Sequence, residues 1–113
     1  SERIVSCVIA QIAENKMIKK LYVELFKATG SEIYLKPADS YISLGYDVNF
    51  FTIMESAKLK NETAIGFRLN KYSQKSLFNF NGENLNFGIC LNPSGNREFM
   101  FETGDEIIVL AES

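Results

Sequence analysis

Histidine and tryptophan are both missing from this chain of 113 residues. Without histidine, any catalytic scheme loses the commonest general base and the commonest metal ligand. Proline and cysteine are scarce, at two residues each. No CxxC pair occurs, and neither thiol has a histidine to activate it for nucleophilic work. Cys7 and Cys90 each sit inside an apolar stretch, so they read as two reduced, buried core thiols of a cytosolic protein; a disulfide or redox pair is the other option. There is no basic excess: twelve Lys and Arg face fourteen Asp and Glu, which argues against a nucleic-acid binder. No apolar run approaches the roughly 18 residues of a membrane span, and no signal-peptide layout is visible. What is present, 46% hydrophobic and 23% charged residues, fits one globular domain and excludes a disordered chain.

Charge is unevenly placed. Residues 1–75 carry a formal +3 and residues 76–113 a formal −5. The acidic tail reads as a solvated sheet edge or, more sharply, as a cation site. The chain opens Ser1-Glu2-Arg3 without Met and runs straight into apolar helical sequence, which reads as a piece of a longer protein with Ser1 as a cloning remnant.

Ile4, Val5, Cys7, Val8, Ile9 and Ile12 recur at helical spacing, and so do Met17, Ile18, Leu21, Tyr22, Leu25 and Phe26. Glu14-Asn15-Lys16 interrupts the two stripes, and Gly30 is a natural stop. Residues 1–30 therefore predict a helical hairpin. The period then changes. Residues 31–36 predict a strand ended by Pro37, and residues 49–60 a third helix capped by Asn49 or Asp47. Its inner stripe is expected to be Phe50, Ile53, Met54 and Ala57. In 63–69, alternation places Ile65, Phe67 and Leu69 on one face and Ala64, Gly66 and Arg68 on the other. Residues 70–86, with five Asn, read as a long polar loop anchored by Leu77, Phe78 and Phe80, or as a segment holding a short strand or helical turn. Residues 87–91, 99–101 and 106–111 supply further strands. The fold class is α+β: an N-terminal helical hairpin (1–30), then a small β-α-β-β-(β)-β domain (31–113).

From residue 31 onward the chain resembles the C-terminal subdomain of RCK (regulator of K⁺ conductance) proteins, the TrkA-C domain, and within it the CASTOR/POLLUX-like ion-channel branch. The resemblance rests on Gly30-Ser31-Glu32-Ile33-Tyr34-Leu35, on Phe50–Ala57 running into Ala64-Ile65-Gly66-Phe67-Arg68, on Gly88-Ile89-Cys90-Leu91-Asn92-Pro93, and on Phe101–Leu110 with its Gly104-Asp105 turn. It implies a non-catalytic regulatory (gating) module on the cytoplasmic face of a potassium or other cation channel or transporter. It also implies that the leading hairpin pairs with its copy in a neighbouring subunit. The interface expected from it is Ile4, Val8, Met17, Ile18, Leu21, Tyr22, Leu25 and Phe26. The remaining partners would be a Rossmann-like RCK half and a pore. No GxGxxG occurs here, so no nicotinamide-type cofactor site is expected in this chain.

A physical argument supports pairing. The hairpin presents about a dozen large apolar side chains, and each is worth about 1.5–3 kcal/mol on burial. One small sheet covers only part of them, and an isologous dimer covers the rest.

Other sites were weighed from residue chemistry. Glu102, Asp105 and Glu106 form the nearest carboxylate cluster and the only metal candidate; their spacing matches no calcium loop, and a structural turn is the plainer reading. Some TrkA-C domains bind small anionic effectors, which makes Arg68 the effector candidate by resemblance. A module that itself senses a nucleotide or divalent ion is thus the alternative function. Phe78 and Phe80 are candidates for a docking tip. Pairing of 31–36 with 63–69 is expected; its absence would favour an unrelated α+β domain.

Overall fold

The computed structural model describes residues 2–14 and 16–112. Two helices, α1 (Glu2–Glu14) and α2 (Lys16–Thr29), form the leading hairpin. The connection expected at 14–16 falls on Asn15, outside the described residues. β1 (Glu32–Pro37) follows, then β2 (Asp47–Asn49), α3 (Phe50–Leu59) and β3 (Thr63–Arg68). Five strands complete the chain: β4 (Leu77–Phe80), β5 (Glu83–Leu85), β6 (Ile89–Leu91), β7 (Glu98–Met100) and β8 (Glu106–Ala111). The main sheet has the order β1-β8-β3-β6, while β2-β7 and β4-β5 are two-stranded ribbons.

The α+β class holds, but the strand order corrects one expectation. β1 and β3 are not neighbours. The last strand, β8, lies between them and pairs antiparallel with both. β1 and β3 therefore run parallel to each other with α3 as their crossover, a split β-α-β unit. β8 takes the central slot because Ile107, Ile108, Val109 and Leu110 are all buried; an uninterrupted apolar run needs cover on both faces. The expected pairing of 31–36 with 63–69 is absent, and taken alone this strand order favours an unrelated α+β domain over the family resemblance.

Two cores flank this sheet. Ile107 and Val109 join Phe67, Phe99, Phe101, Ile53 and Phe50 beneath α3. Ile108 and Leu110 join Val8, Ile12, Tyr22, Ile65 and Ile89 beneath the helical hairpin. The strict alternation read in 63–69 fails at a β-bulge between Ala64 and Gly66. The inserted residue, Ile65, turns to the hairpin core while Ala64 and Phe67 share the α3 core. Its carbonyl accepts from the Asn92 N–H at 2.7 Å, so the bulge leaves no orphan acceptor there.

α3 begins as expected, with Asn49 Oδ1 accepting from the Thr52 N–H at 2.9 Å. Phe50, Ile53 and Ala57 are buried, but Met54 points outward with 42% of its surface exposed. The stripe is narrower than expected because a ten-residue helix over a small sheet touches it along one edge. Cys90 is buried, as read, and burial together with the nearby Glu83 carboxylate pushes its thiol up to about 12. Cys7 corrects the other half of that reading. It is exposed, because Val8 and Ile12 set the buried face of α1 and Cys7 lies one step round the helix.

Residues 70–86 hold β4 and β5, joined at Asn81-Gly82. Both turn residues have positive φ, 47° and 82°, the geometry of a two-residue type I′ hairpin. Phe80 is not a docking tip. It packs on the α3 core, 5.1 Å from the Tyr72 ring and 6.5 Å from Phe99. The Phe78 side chain lies outside the described residues.

One carboxylate ties the α3 side together. Glu62 accepts hydrogen bonds from Lys36 Nζ and from the Tyr41 hydroxyl, the latter at 2.6 Å. Burial alone would raise its pKa. The bonds from Lys36 and Tyr41 and the charges of Lys36 and Lys60 outweigh that and hold it below 4.5. A carboxylate with a lowered native pKa adds stability above its unfolded pKa, and that contribution fades as pH falls through the native value. Acid denaturation below pH 4.5 should accordingly be shallower in Glu62→Gln than in the parent, measured by urea midpoints across that range.

Candidate functional site

Two hollows on the described surface take in the candidate residues. The larger, about 460 Å³, lies where the start of α1 meets the end of β3. It is lined by Ile4 and Cys7 of α1, Arg68 of β3, Ser73 and Gln74, and Phe87 and Ile89. Arg68 faces this side because Phe67, next to it on the strand, is committed to the α3 core. Its Nη1 donates to Glu106 Oε1 at 3.0 Å, across the β3–β8 pair where the two residues are in register. That ion pair is largely shielded, with side chains 15% and 27% exposed.

Phe87 was missed in the sequence. It occupies the first position of a second type I′ turn, Phe87-Gly88, joining β5 to β6, with φ of 52° and 83°. The turn is closed by the Asn86 N–H to Ile89 carbonyl bond at 2.9 Å and its reciprocal at 3.0 Å. Gly88 is required twice over. Its φ is positive, and a Cβ there would lie 2.4 Å from the Leu69 carbonyl oxygen. Phe87 has no such licence. A left-handed conformation costs a non-glycine residue about 1–2 kcal/mol, and the ring is 53% exposed, so packing offsets only part of that. The available signal was an apolar residue directly before Gly at a strand boundary, a place where Asn or Asp is usual.

The second hollow, about 330 Å³, is lined by Pro37, Ala38, Asp39, Leu44 and residues 102–106. It gathers the expected cation candidates without turning them on a common point. Asp105 is 4% exposed, and both its oxygens are occupied: Oδ1 accepts from the Asn70 N–H and Oδ2 from the Glu102 N–H, each at 2.9 Å. Glu106 is held by Arg68. Glu102 stands 4.0 Å from Lys71 with both side chains more than half exposed, a geometry worth little. Among the described residues no group of three or more His, Cys, Asp or Glu is placed to hold a metal ion.

The hairpin residues named as an interface divide into three sets. Val8 and Tyr22 are buried against the chain's own sheet. Ile4, Ile18, Leu25 and Phe26 are half-buried against the same core. Met17 and Leu21 project outward, 84% and 65% exposed, and Ile9 joins them at 52%. The sheet thus covers more of the stripe than expected, and among the described hairpin residues Ile9, Met17 and Leu21 are the large apolar side chains left exposed. None of the described helices is long and apolar enough to cross a membrane.

No family model matches the chain. It is 36% identical over 69 residues to a probable ion channel CASTOR of Oryza sativa subsp. japonica, a match covering 61% of this chain and 8% of that protein. Over the same shares it is 39% identical to a probable ion channel POLLUX of Arabidopsis thaliana. It is 36% identical over 69 residues to the ion channel DMI1 of Medicago truncatula. The match thus spans about 8% of the length of these relatives, and over that stretch the chain is similar to a segment of CASTOR- and POLLUX-type ion channels.

Proposed function

We propose that the chain is a non-catalytic regulatory module of an ion channel, of the RCK C-terminal (TrkA-C) type, acting on the cytoplasmic face of a potassium or other cation channel. The observation that carries this reading is the 36–39% identity to CASTOR and POLLUX ion channels over 61% of the chain. In this reading residues 1–30 are a clasp that joins two copies, residues 31–113 are the body, and a Rossmann-like half and a pore complete the larger protein. The clasp works through Ile9, Met17 and Leu21, with Ile18 and Leu25 at its margin. A shift in how two copies meet biases the pore between its states, because a ligand moves an equilibrium only by its differential affinity for them.

The energetics fit a modest, adjustable contact. Three exposed apolar residues per copy make six across a two-fold axis, and burying them gains about 9–18 kcal/mol. Association costs about 4–15 kcal/mol. The midpoints differ by about 4 kcal/mol, near millimolar affinity for these three residues alone, so a dimer at tens of micromolar needs the marginal Ile18 and Leu25 as well. Of the alternative, a module that itself senses a nucleotide or divalent ion, the ion half is disfavoured by the occupied oxygens of Asp105 and the Arg68–Glu106 pair.

The test is recording from rice CASTOR lacking the matched segment, and from the same channel with this chain in its place. Loss of the segment should change open probability and leave single-channel conductance intact, and this chain should restore it. A changed conductance, or no restoration, would contradict a regulatory role.

A further inference from the structure

We infer that the hollow between α1 and the β5–β6 turn is a binding site for a small aromatic carboxylate, gripped by Arg68 and stacked on Phe87. The site is built within one chain, so it stands or falls separately from pairing and gating.

The first argument is charge. A guanidinium has five N–H donors in a planar fork. Arg68 uses Nη1 on Glu106, and no other bond of its guanidinium is seen among the described residues. Arg68 lines the hollow with 15% of its side chain exposed. Glu106 holds the group in place while leaving donors for an incoming carboxylate. The same carboxylate already balances the arginine charge. A ligand with one negative charge suits that balance better than a doubly charged phosphomonoester.

The second argument is shape and strain. The hollow, about 460 Å³, falls in the usual range for small-molecule sites. Its apolar surfaces are Ile4, Ile89 and the Phe87 ring, and its polar rim is Ser73 and Gln74. The exposed face of the Phe87 ring offers a flat ligand ring a surface to stack on. Phe87 sits in a turn position that disfavours it on its own, with φ of 52° and half its surface in water. Residues held against their backbone preference cluster at ligand sites, where stability is given up for contact.

The experiment is an NMR titration of this chain with naphthalene-2-carboxylate, with naphthalene-2-carboxamide and inorganic phosphate as controls. The carboxylate should shift the amides of Arg68, Gln74 and Phe87 in a saturable way. A Kd of about 1 mM or tighter is what about 13 heavy atoms reach at ordinary ligand efficiency. The neutral amide should bind at least tenfold more weakly. Phe87→Asn should raise the melting temperature and weaken binding about fivefold, a combination that a purely structural role for the ring does not give. Arg68→Lys keeps the charge and loses the fork, so it should weaken binding as well. Equal affinity for acid and amide, or unchanged affinity in Phe87→Asn, would overturn the assignment. So would the absence of any saturable shift at these amides.

Discussion

Phe67→Ala should lower stability by about 3–5 kcal/mol, the usual range for a fully buried phenylalanine. Phe67 has no exposed surface. Its ring meets Phe99 at 4.6 Å, Phe101 edge-on at 5.3 Å and Phe50 at 6.4 Å between centroids. Such pairs add to the value of burial alone. The vacated space has little means of closing. β3 is hydrogen-bonded on both sides, to β8 and to β6, and α3 lies over it. For a domain of 5–15 kcal/mol total stability, a loss of about 3–5 kcal/mol removes a fifth or more. Thermal unfolding should show a midpoint lower by roughly 12–30 °C. A loss under about 1 kcal/mol would mean that this core is loosely packed.

Asp105→Ala is the second large effect, expected at about 2–4 kcal/mol because two backbone donors lose their acceptor together. The carboxylate spans the Glu102 and Asn70 amides and so joins the turn before β8 to the segment after β3. The Asp105 backbone also serves the entry to the 38–40 turn, its carbonyl accepting from the Ala38 N–H at 2.9 Å. That bond survives the substitution, which bounds the loss. Asp105→Asn keeps one acceptor oxygen and should recover about half of the deficit. Urea unfolding of the three proteins orders them directly, parent above Asn above Ala. Equal midpoints would show that the amides are fully satisfied by water once the side chain is gone.

Much of the fold was legible in sequence because its signals are local. The stripes of Ile4–Ile12 and Met17–Phe26, the cap at Asn49 and the apolar run Glu106–Ala111 each declare an element by periodicity or turn chemistry. The neighbour of each strand was not legible. β8 lies between β1 and β3 through long-range pairing, and no spacing within those segments specifies it. The bulge at Ile65 was hidden for a related reason: Ile65, Gly66 and Phe67 alternate perfectly well on paper. The β4–β5 ribbon had a readable signal in Asn81-Gly82, the strongest short hairpin cue, and the five asparagines around it obscured that cue. At the hollow, Arg68 was legible as a charged residue in an apolar strand, whereas Phe87 became visible only through its backbone angle. The acidic residues of 102–106 read first as a structural turn, with a cation site as the sharper option. Asp105 holds that turn through two backbone donors, and the partner on Asn70 depends on where that residue lies in space, which no local spacing shows.

The central claim is that the outward face of the hairpin joins two copies. Sedimentation velocity of this chain, alone and with Met17→Glu and Leu21→Glu together, addresses it most directly. Both side chains are largely exposed in the single chain, so the double variant should still fold, with a native circular-dichroism spectrum and a cooperative melt. The account predicts a dimer for the parent at tens of micromolar and a monomer for the variant. A parent that sediments as a monomer, or a variant that still dimerises, would contradict it.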